Sequence, residues 1–387
     1  MTPIRVGILA GEASGDNLGA GLMRALRRAH SAPIEFVGVG GDAMRAETLI
    51  ELASIEELSV NGFRDPIVNA PRLWRLLKRL EQEFVRRQVD VFIGVDFNVF
   101  NFMLEGRLKR AGVKTAHYVS PSVYAWRRGR TKRVAKVTDA VLCLFPFEPE
   151  FYRNLDVNAV FVGHPLADEI SFEAGDETSK RRARTQLGLG EESTVLAVLP
   201  GSRRAEVKMQ LSNFLHAAAQ LRTRVGHLEI VIPVPRADLV PVVNDGLAEH
   251  ANLDVKVVEE RARNSLVACD IALVKSGTST LEALLLHRPM VVSYRIGKWS
   301  YQLAKRLVRS PFIALPNILA GRELVPELLQ YEATPEALGE ALSRELVRSR
   351  EDAAFFQPFE KIHGELRREA DATAADAVIR LLRVGTN

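Results

Sequence analysis

The chain has 387 residues, 47% of them hydrophobic and 26% charged, with 52 Lys and Arg against 48 Asp and Glu. That length suits about two domains of ~100–200 residues, which excludes a small scaffold stapled by disulfides or metal, and the apolar share excludes a disordered chain. A net charge of +4 names no partner by its size, so the placement of the charges carries the information.

In chain order, the apolar run Arg5–Ala10 opens the sequence and leads into Gly11-Glu12-Ala13-Ser14-Gly15-Asp16. Glycines there would let a substrate approach the backbone, with Glu12, Ser14 and Asp16 as polar contacts; the alternative is a tight loop in which Asp16 caps a helix from Leu18. Glu35–Val39 is the second strand, and Gly38, Gly40 and Ala43 give a G-x-G-x-x-A spacing. A dinucleotide fingerprint belongs after the first strand, so this match argues little for a nicotinamide site. Arg64–Arg87 then carries seven basic residues against three acidic ones, with Leu73, Trp74, Leu76, Leu77 and Leu80 at helical spacing. Such a helix either lies on a membrane surface or packs on the sheet with a solvated basic back. Val91–Val95 reads as a buried strand ending at Asp96, which is placed for a general base or for a loop anchor. Lys114–Tyr118, Val141–Leu144 and Ala159–Val162 continue the pattern, and Arg127–Lys136 adds six bases without an acid. No nucleic-acid recognition module accompanies this charge.

After the polar stretch Asp168–Lys180 the alternation restarts with Val195–Leu199, Glu229–Ile232, Val255–Val258, Ile271–Val274 and Met290–Ser293. Short strands alternating with helices predict an α/β fold of two doubly wound parallel sheets, whose ligands belong at the carboxyl ends of the strands, in a cleft between facing domains. Leu199-Pro200-Gly201-Ser202-Arg203-Arg204 follows one strand, and Lys275-Ser276-Gly277-Thr278-Ser279-Thr280-Leu281-Glu282 follows another and opens a helix. The two loops offer Arg203, backbone amides and hydroxyls to a diphosphate, Lys275 as a nearby cation and Glu282 to a ribose diol; each alone would also serve as a turn or a helix cap. From Pro335 the pattern is helical to Arg383, interrupted at Pro358.

Cys143 and Cys269 sit in apolar runs and read as core thiols of a reducing compartment. No run reaches the ~18–20 apolar residues that span a bilayer, and the first ten residues enter a strand without a cleavage signal, so a cytoplasmic protein is expected. His117, His164 and His287 show no ligand spacing, and no metal site is expected.

GEASGD at Gly11–Asp16, HYVSPSVYAWR at His117–Arg127, FVGHPLAD at Phe161–Asp168, LPGSRRAEV at Leu199–Val207, KSGTSTLEALL at Lys275–Leu285 and LPNILAGRELVPELLQ at Leu315–Gln330 together resemble the lipid-A-disaccharide synthase family. The resemblance implies a GT-B fold of two Rossmann-like domains: residues 1–168 on the acceptor and membrane side, 169–356 for the UDP-sugar, and a helical segment 357–387 returning to the first domain. It implies an inverting glycosyl transfer without metal or cofactor, from UDP-2,3-diacylglucosamine to the 6-hydroxyl of 2,3-diacylglucosamine 1-phosphate (lipid X), by an enzyme peripheral on the inner face of the cytoplasmic membrane and able to form a homodimer. The rival readings are a UDP-sugar epimerase or hydrolase of the same fold and a non-catalytic nucleotide-binding membrane adaptor. By motif, Asp96 matches the catalytic aspartate, while Arg203, Ser276, Gly277, Thr278, Glu282 and Asn317 match positions around UDP or the reacting centre, with Arg295 beside them. Where the family often has Asp-Ala-Pro-Asp-Phe, this chain has Asp96-Phe97-Asn98-Val99-Phe100.

Overall fold

All eleven apolar runs are strands in the computed structural model, which describes residues 3–58, 66–121, 129–297 and 310–383, with residues 66–69 and 98 as backbone alone. The chain divides into two compact units, Met1–Asp168 with Leu366–Asn387, and Glu169–Glu365.

In the first unit, β1 (Ile4–Ala10), β2 (Ile34–Val39), β3 (Ile50–Glu51), β4 (Val91–Val95), β5 (Lys114–Tyr118), β6 (Ala140–Cys143) and β7 (Asn158–Phe161) pair in the order β3-β2-β1-β4-β5-β6-β7. Every pairing is parallel. The strand order reverses between β1 and β4, where a doubly wound sheet opens a crevice at its carboxyl edge. One core packs Leu76, Leu77, Leu80 and Phe84 of the helix Pro66–Arg86 against Phe92, Phe100 and Leu104. The leucine stripe of that helix is therefore core and not a lipid-facing surface, with Leu77 1% exposed. Trp74 alone of the aromatic and leucine group is open, at 55%, with the Arg107 guanidinium 4.5 Å from its ring centre. The two basic runs reach into residues 59–65 and 122–128, which lie outside the described residues.

The last helix, Ala370–Arg383, packs on the helix Ala13–Ala29 of the first unit. The reason lies in the Gly163–Asp168 segment. Gly163 adopts a left-handed φ of +90° against the Leu366 carbonyl, which also accepts from the His164 amide at 2.9 Å. Asp168 then caps the helix from a distance, taking the Glu369 and Ala370 amides at 3.0 and 2.6 Å. Lys114 closes the far end on the carbonyls of Leu381 and Leu382, where a helix dipole favours a cation. The helix Gln357–Leu366 belongs to the second unit up to Glu365, so the chain returns at Leu366 rather than at residue 357. Pro358 stands in the first turn of that helix and starts it, as its missing N–H allows.

In the second unit, β8 (Thr194–Leu199), β9 (Leu228–Val234), β10 (Asp254–Glu259), β11 (Ile271–Lys275), β12 (Met290–Tyr294) and β13 (Glu327–Leu329) form a parallel sheet ordered β10-β9-β8-β11-β12-β13. The helices Arg204–Val225 and Pro335–Glu351 pack together over one core of this sheet. The reversal here falls between β8 and β11. No helix among the described residues is long and apolar enough to cross a membrane.

Candidate active-site residues in the two units

The second unit has a pocket at its reversal point. Leu199, Gly201, Ser202 and Glu206 line it after β8, Pro233 to Pro235 at the end of β9, Glu260 and Ala262 after β10, and Lys275 to Ser279 after β11. The two loops singled out in sequence therefore meet in one cavity. Gly277 precedes the helix Thr278–Leu285 without a side-chain cap, so the first N–H groups of that helix are left for a ligand. A Cβ on Gly277 would meet nothing nearer than 4.0 Å, so the glycine keeps space open. Gly201 is different. Its φ is +129°, and a Cβ would stand 2.7 Å from Glu206 Oε2.

Glu206 reaches under that loop, accepting from the Ser202 amide at 3.2 Å and pairing with Lys275 at 3.2 Å. Burial works against its charge, yet Lys275 and the loop amides hold its carboxyl below the usual range. Lys275 also lies over the Tyr294 ring at 5.2 Å. The result is an ammonium fixed at the pocket by a carboxylate and an aromatic face. Arg203 is exposed at the start of the helix Arg204–Val225 and has no ion-pair partner among the described residues. Glu282 is half-buried and pairs with Arg263 at 3.2 Å, whose other arm holds Glu169 at 2.6 Å. Thr278 is exposed at the pocket, whereas the Ser276 hydroxyl donates to the Ile313 carbonyl.

Asn317 does not face the pocket. It is wholly buried, and its amide takes the Leu324 and Val325 N–H groups at 2.8 and 2.9 Å while donating to the Val325 carbonyl and Glu327 Oε2. Its amide is committed to the loop before β13, so it shapes that loop. Arg295, just past β12, is half-buried, and its carbonyl accepts from Gln210 at 3.2 Å.

In the first unit, Asp96 follows β4 at the reversal point and is half-buried at the carboxyl edge. Asp96 and Phe97 are consecutive left-handed residues with φ of +47° and +46°. Each such residue costs about 1–2 kcal/mol without glycine, so the surroundings must impose the turn. Asp96 donates its amide to the Tyr118 carbonyl at 2.8 Å, and the Phe97 ring fills the space beside Gly11, where a Cβ would stand 2.3 Å from Cγ. Gly11 thus admits the Phe97 ring, and Gly15 packs a helix on the sheet near Val95.

Asp16 is also structural. It is 6% exposed, and its carboxylate takes the Gly41, Ala43 and Met44 amides at 2.7, 2.9 and 3.1 Å. It caps the short helix Asp42–Ala46 rather than its own helix, which begins at Ala13. Gly38 and Gly41 accommodate that packing, since a Cβ on Gly38 would collide with the Ile8 carbonyl at 1.7 Å and one on Gly41 would meet Asp16 at 2.7 Å. Glu12 and Ser14 remain exposed at the start of the helix Ala13–Ala29.

Beneath Asp96, His117 Nδ1 and Glu105 Oε1 lie 2.7 Å apart, both wholly buried. Burial pushes the Glu105 carboxyl up while His117 opposes it. Sequence spacing missed this pair because twelve residues and a strand crossover separate its members. Gly94 was the available signal, since a Cβ there would stand 2.3 Å from Glu105 Oε1. No group of three His, Cys, Asp or Glu side chains among the described residues is placed to hold a metal ion. The thiols of Cys143 and Cys269 are buried and unpaired with each other.

The lipid-A-disaccharide synthetase family profile matches residues 6–378. The lipid-A-disaccharide synthase of Sodalis glossinidius (strain morsitans) is 44% identical over 384 residues, 98% of each chain. Among solved structures, the UDP-GlcNAc 2-epimerase of Neisseria meningitidis bound to UDP-GlcNAc has a TM-score of 0.62 at 11% identity, covering 99% of both chains. The glycotransferase of kitacinnamycin gives 0.58 at 16%, covering 98% of this chain and 100% of that one. At those identities the two structures speak for the fold, GT-B, and the near-full-length match speaks for the family. The chain belongs to the lipid-A-disaccharide synthetase family of glycosyltransferases.

Proposed function

We propose that the chain transfers 2,3-diacylglucosamine from its UDP conjugate to the 6-hydroxyl of lipid X, giving the β(1→6) tetraacyl disaccharide 1-phosphate and UDP. The observation that carries this reading is the pocket where the glycine loops after β8 and β11 converge on an uncapped helix N-terminus, with Lys275 and Arg203 beside it. A diphosphate needs that kind of surface, because its charge grows as the bond to the anomeric carbon breaks and preorganised donors stabilise it there. Thr278 and the amides from Gly277 onward meet the diphosphate, Ser276 shapes the loop, and Glu282 with Arg263 meets the ribose hydroxyls.

Asp96 takes the proton of the acceptor 6-hydroxyl as that oxygen attacks the anomeric carbon on the face opposite UDP. The new bond joins the 6-oxygen to the anomeric carbon, and UDP departs with the electron pair of the old one. Configuration inverts. Glu12 and Ser14 are the nearest acceptor-side candidates after Asp96, and Arg295 is held in reserve on the nucleotide side.

Both substrates carry acyl chains, and we assign peripheral membrane contact to the exposed side of the helix Pro66–Arg86. Arg72, Arg75 and Lys78 are exposed there beside Trp74, while the buried side is core. Mass spectrometry after incubation with UDP-2,3-diacylglucosamine and lipid X tests the reaction. The tetraacyl disaccharide 1-phosphate is expected only when both are present. Isomerised sugar or UDP released without lipid X would replace transfer by epimerisation or hydrolysis, and UDP binding without any product would leave an adaptor.

A further inference from the structure

We propose that Asn101 is a positioning residue that sets Asp96 for proton transfer by holding the left-handed turn on which it stands. The proposal rests on the reading of Asp96 as the base. Asn101 lies in the first turn of the helix Asn98–Arg110 and is 0% exposed. Its Nδ2 donates to the Asp96 carbonyl at 2.8 Å and reaches the carbonyls of Val95 and Leu9 at 3.3 and 3.4 Å. One amide therefore gathers the penultimate carbonyl of β1, the last of β4 and the carbonyl of the first of the two left-handed residues. Its backbone N–H closes the same turn on the Phe97 carbonyl at 3.3 Å.

Fold stability alone explains this residue poorly. Asn101 Oδ1 is buried without a hydrogen-bond partner, a desolvation cost that an apolar side chain would avoid. Two successive non-glycine residues at positive φ add a second cost at the same spot. Costs of this kind concentrated at the carboxyl end of β4 are what a site pays to fix a side chain that strand geometry would place elsewhere. Phe97 supplies the other brace, its ring lodged in the space that Gly11 leaves.

The test is a kinetic double-mutant cycle on the full chain with UDP-2,3-diacylglucosamine and lipid X. Asn101→Ala should lower kcat by about 10²-fold, the usual consequence of displacing a reacting group by about 1 Å, while both KM values and UDP affinity stay within about twofold. Combined with Asp96→Asn, it should cost less than about threefold more, because its effect runs through Asp96. Gly11→Ala displaces the Phe97 ring without touching either residue, should show the same pattern, and carries the cycle if Asn101→Ala does not fold. Equal losses in the two backgrounds, with Asp96→Asn itself slowed at least about 10²-fold, would overturn the role of Asn101 and leave the base assigned. An active Asp96→Asn beside an inactive Asn101→Ala would overturn both.

Discussion

The two units share a parallel sheet with one reversal of strand order, yet they build their carboxyl edges from different materials. In the second unit the edge is loop backbone: Gly201, Ser202 and Gly277 to Ser279 line the pocket, and its cations sit on or near the surface. In the first unit the edge is wired into the core. Asp96 hangs on Asn101, Phe97 and Tyr118, and the wholly buried Glu105 and His117 lie below. Backbone amides suit a ligand whose charge is fixed and large, since they need no titration and little reorganisation. A base must instead be held in one place by side chains that are themselves held. Substitutions at the first edge should therefore reach chemistry and folding together, and those at the second should reach binding alone.

The largest expected effect splits the edges directly. Asp96→Asn keeps shape and removes basicity, so kcat should fall by ~10²–10⁴ while UDP affinity stays near parental. Arg203→Ala should do the reverse, weakening UDP binding by about ten- to a hundredfold for the ~1.5–3 kcal/mol of a charge-assisted bond, with the thermal midpoint unchanged. Single-turnover rates and calorimetry on both variants check it. A loss of UDP affinity in Asp96→Asn would erase the division of labour.

Leu77→Ala comes next, because it asks whether the basic helix is core or lipid anchor. At 1% exposure it should cost about 2–5 kcal/mol in denaturant unfolding, with vesicle binding unaltered in the folded fraction. Lost vesicle binding at full stability would restore the leucine stripe to the membrane.

Acid should sharpen the contrast through His164, which docks the returning segment in the first unit. Burial pushes its imidazole down to about 4 from 6.5. The unfolded chain takes this proton first as pH falls, so the stabilisation is complete above 6.5 and is lost between 6.5 and about 4, by roughly 3 kcal/mol. Burial pushes Glu148 up to about 8, so its contribution has the opposite slope and fades as pH rises from about 4.5. The two nearly cancel between 4.5 and 6.5. His287 in the second unit is also pushed down to about 4 by burial, so only a variant isolates the first unit's share. His164→Asn keeps an acceptor for the Leu166 amide, which His164 Nδ1 now receives at 3.2 Å, and removes the titration. The stability difference between parent and variant should change by about 3 kcal/mol across that window; a constant difference would mean that burial leaves the His164 imidazole titrating in the folded protein as it does in the unfolded chain.

How far the sequence could be read follows the same division. The second edge was legible because its parts are contiguous: a strand, a glycine loop and a helix start appear in order as LPGSRR and KSGTSTLE. Arg203 and Gly277 were singled out that way. Glu206 and Lys275 stand in the same words, but their pairing joins residues 69 positions apart. Asp96 was legible as a strand end, whereas Asn101, Phe97 and Glu105 gained meaning only when β1, β4 and β5 came together. The partners of Asp16 and Asn317 were hidden for a related reason. A buried carboxylate or amide that serves three backbone groups has the same composition signature as one that serves a ligand, and only its partners tell them apart. The two strands that sequence missed, β3 and β13, have two and three residues, too short for a period to show.

The smallest effect is expected at Trp74, where the first unit turns outward. Its ring is half open and stacked by Arg107, which is itself paired with Glu81 at 2.6 Å. Entry into a lipid interface would bury only the open half, worth about 1 kcal/mol, or roughly fivefold in partitioning. Each nearby cation adds about 1 kcal/mol at an anionic surface and fades with salt as the screening length shrinks. Trp74→Ala should therefore weaken binding to anionic vesicles about fivefold at every salt concentration, whereas Arg75→Gln with Lys78→Gln should weaken it more at low salt and hardly at all near 1 M. Activity on detergent-dispersed substrate should be unchanged in both, because none of the three side chains supports the Asp96 turn. Vesicle binding equal to the parent in both variants would leave this helix a wall of the core with a solvated back, and membrane contact would have to come from another part of the chain.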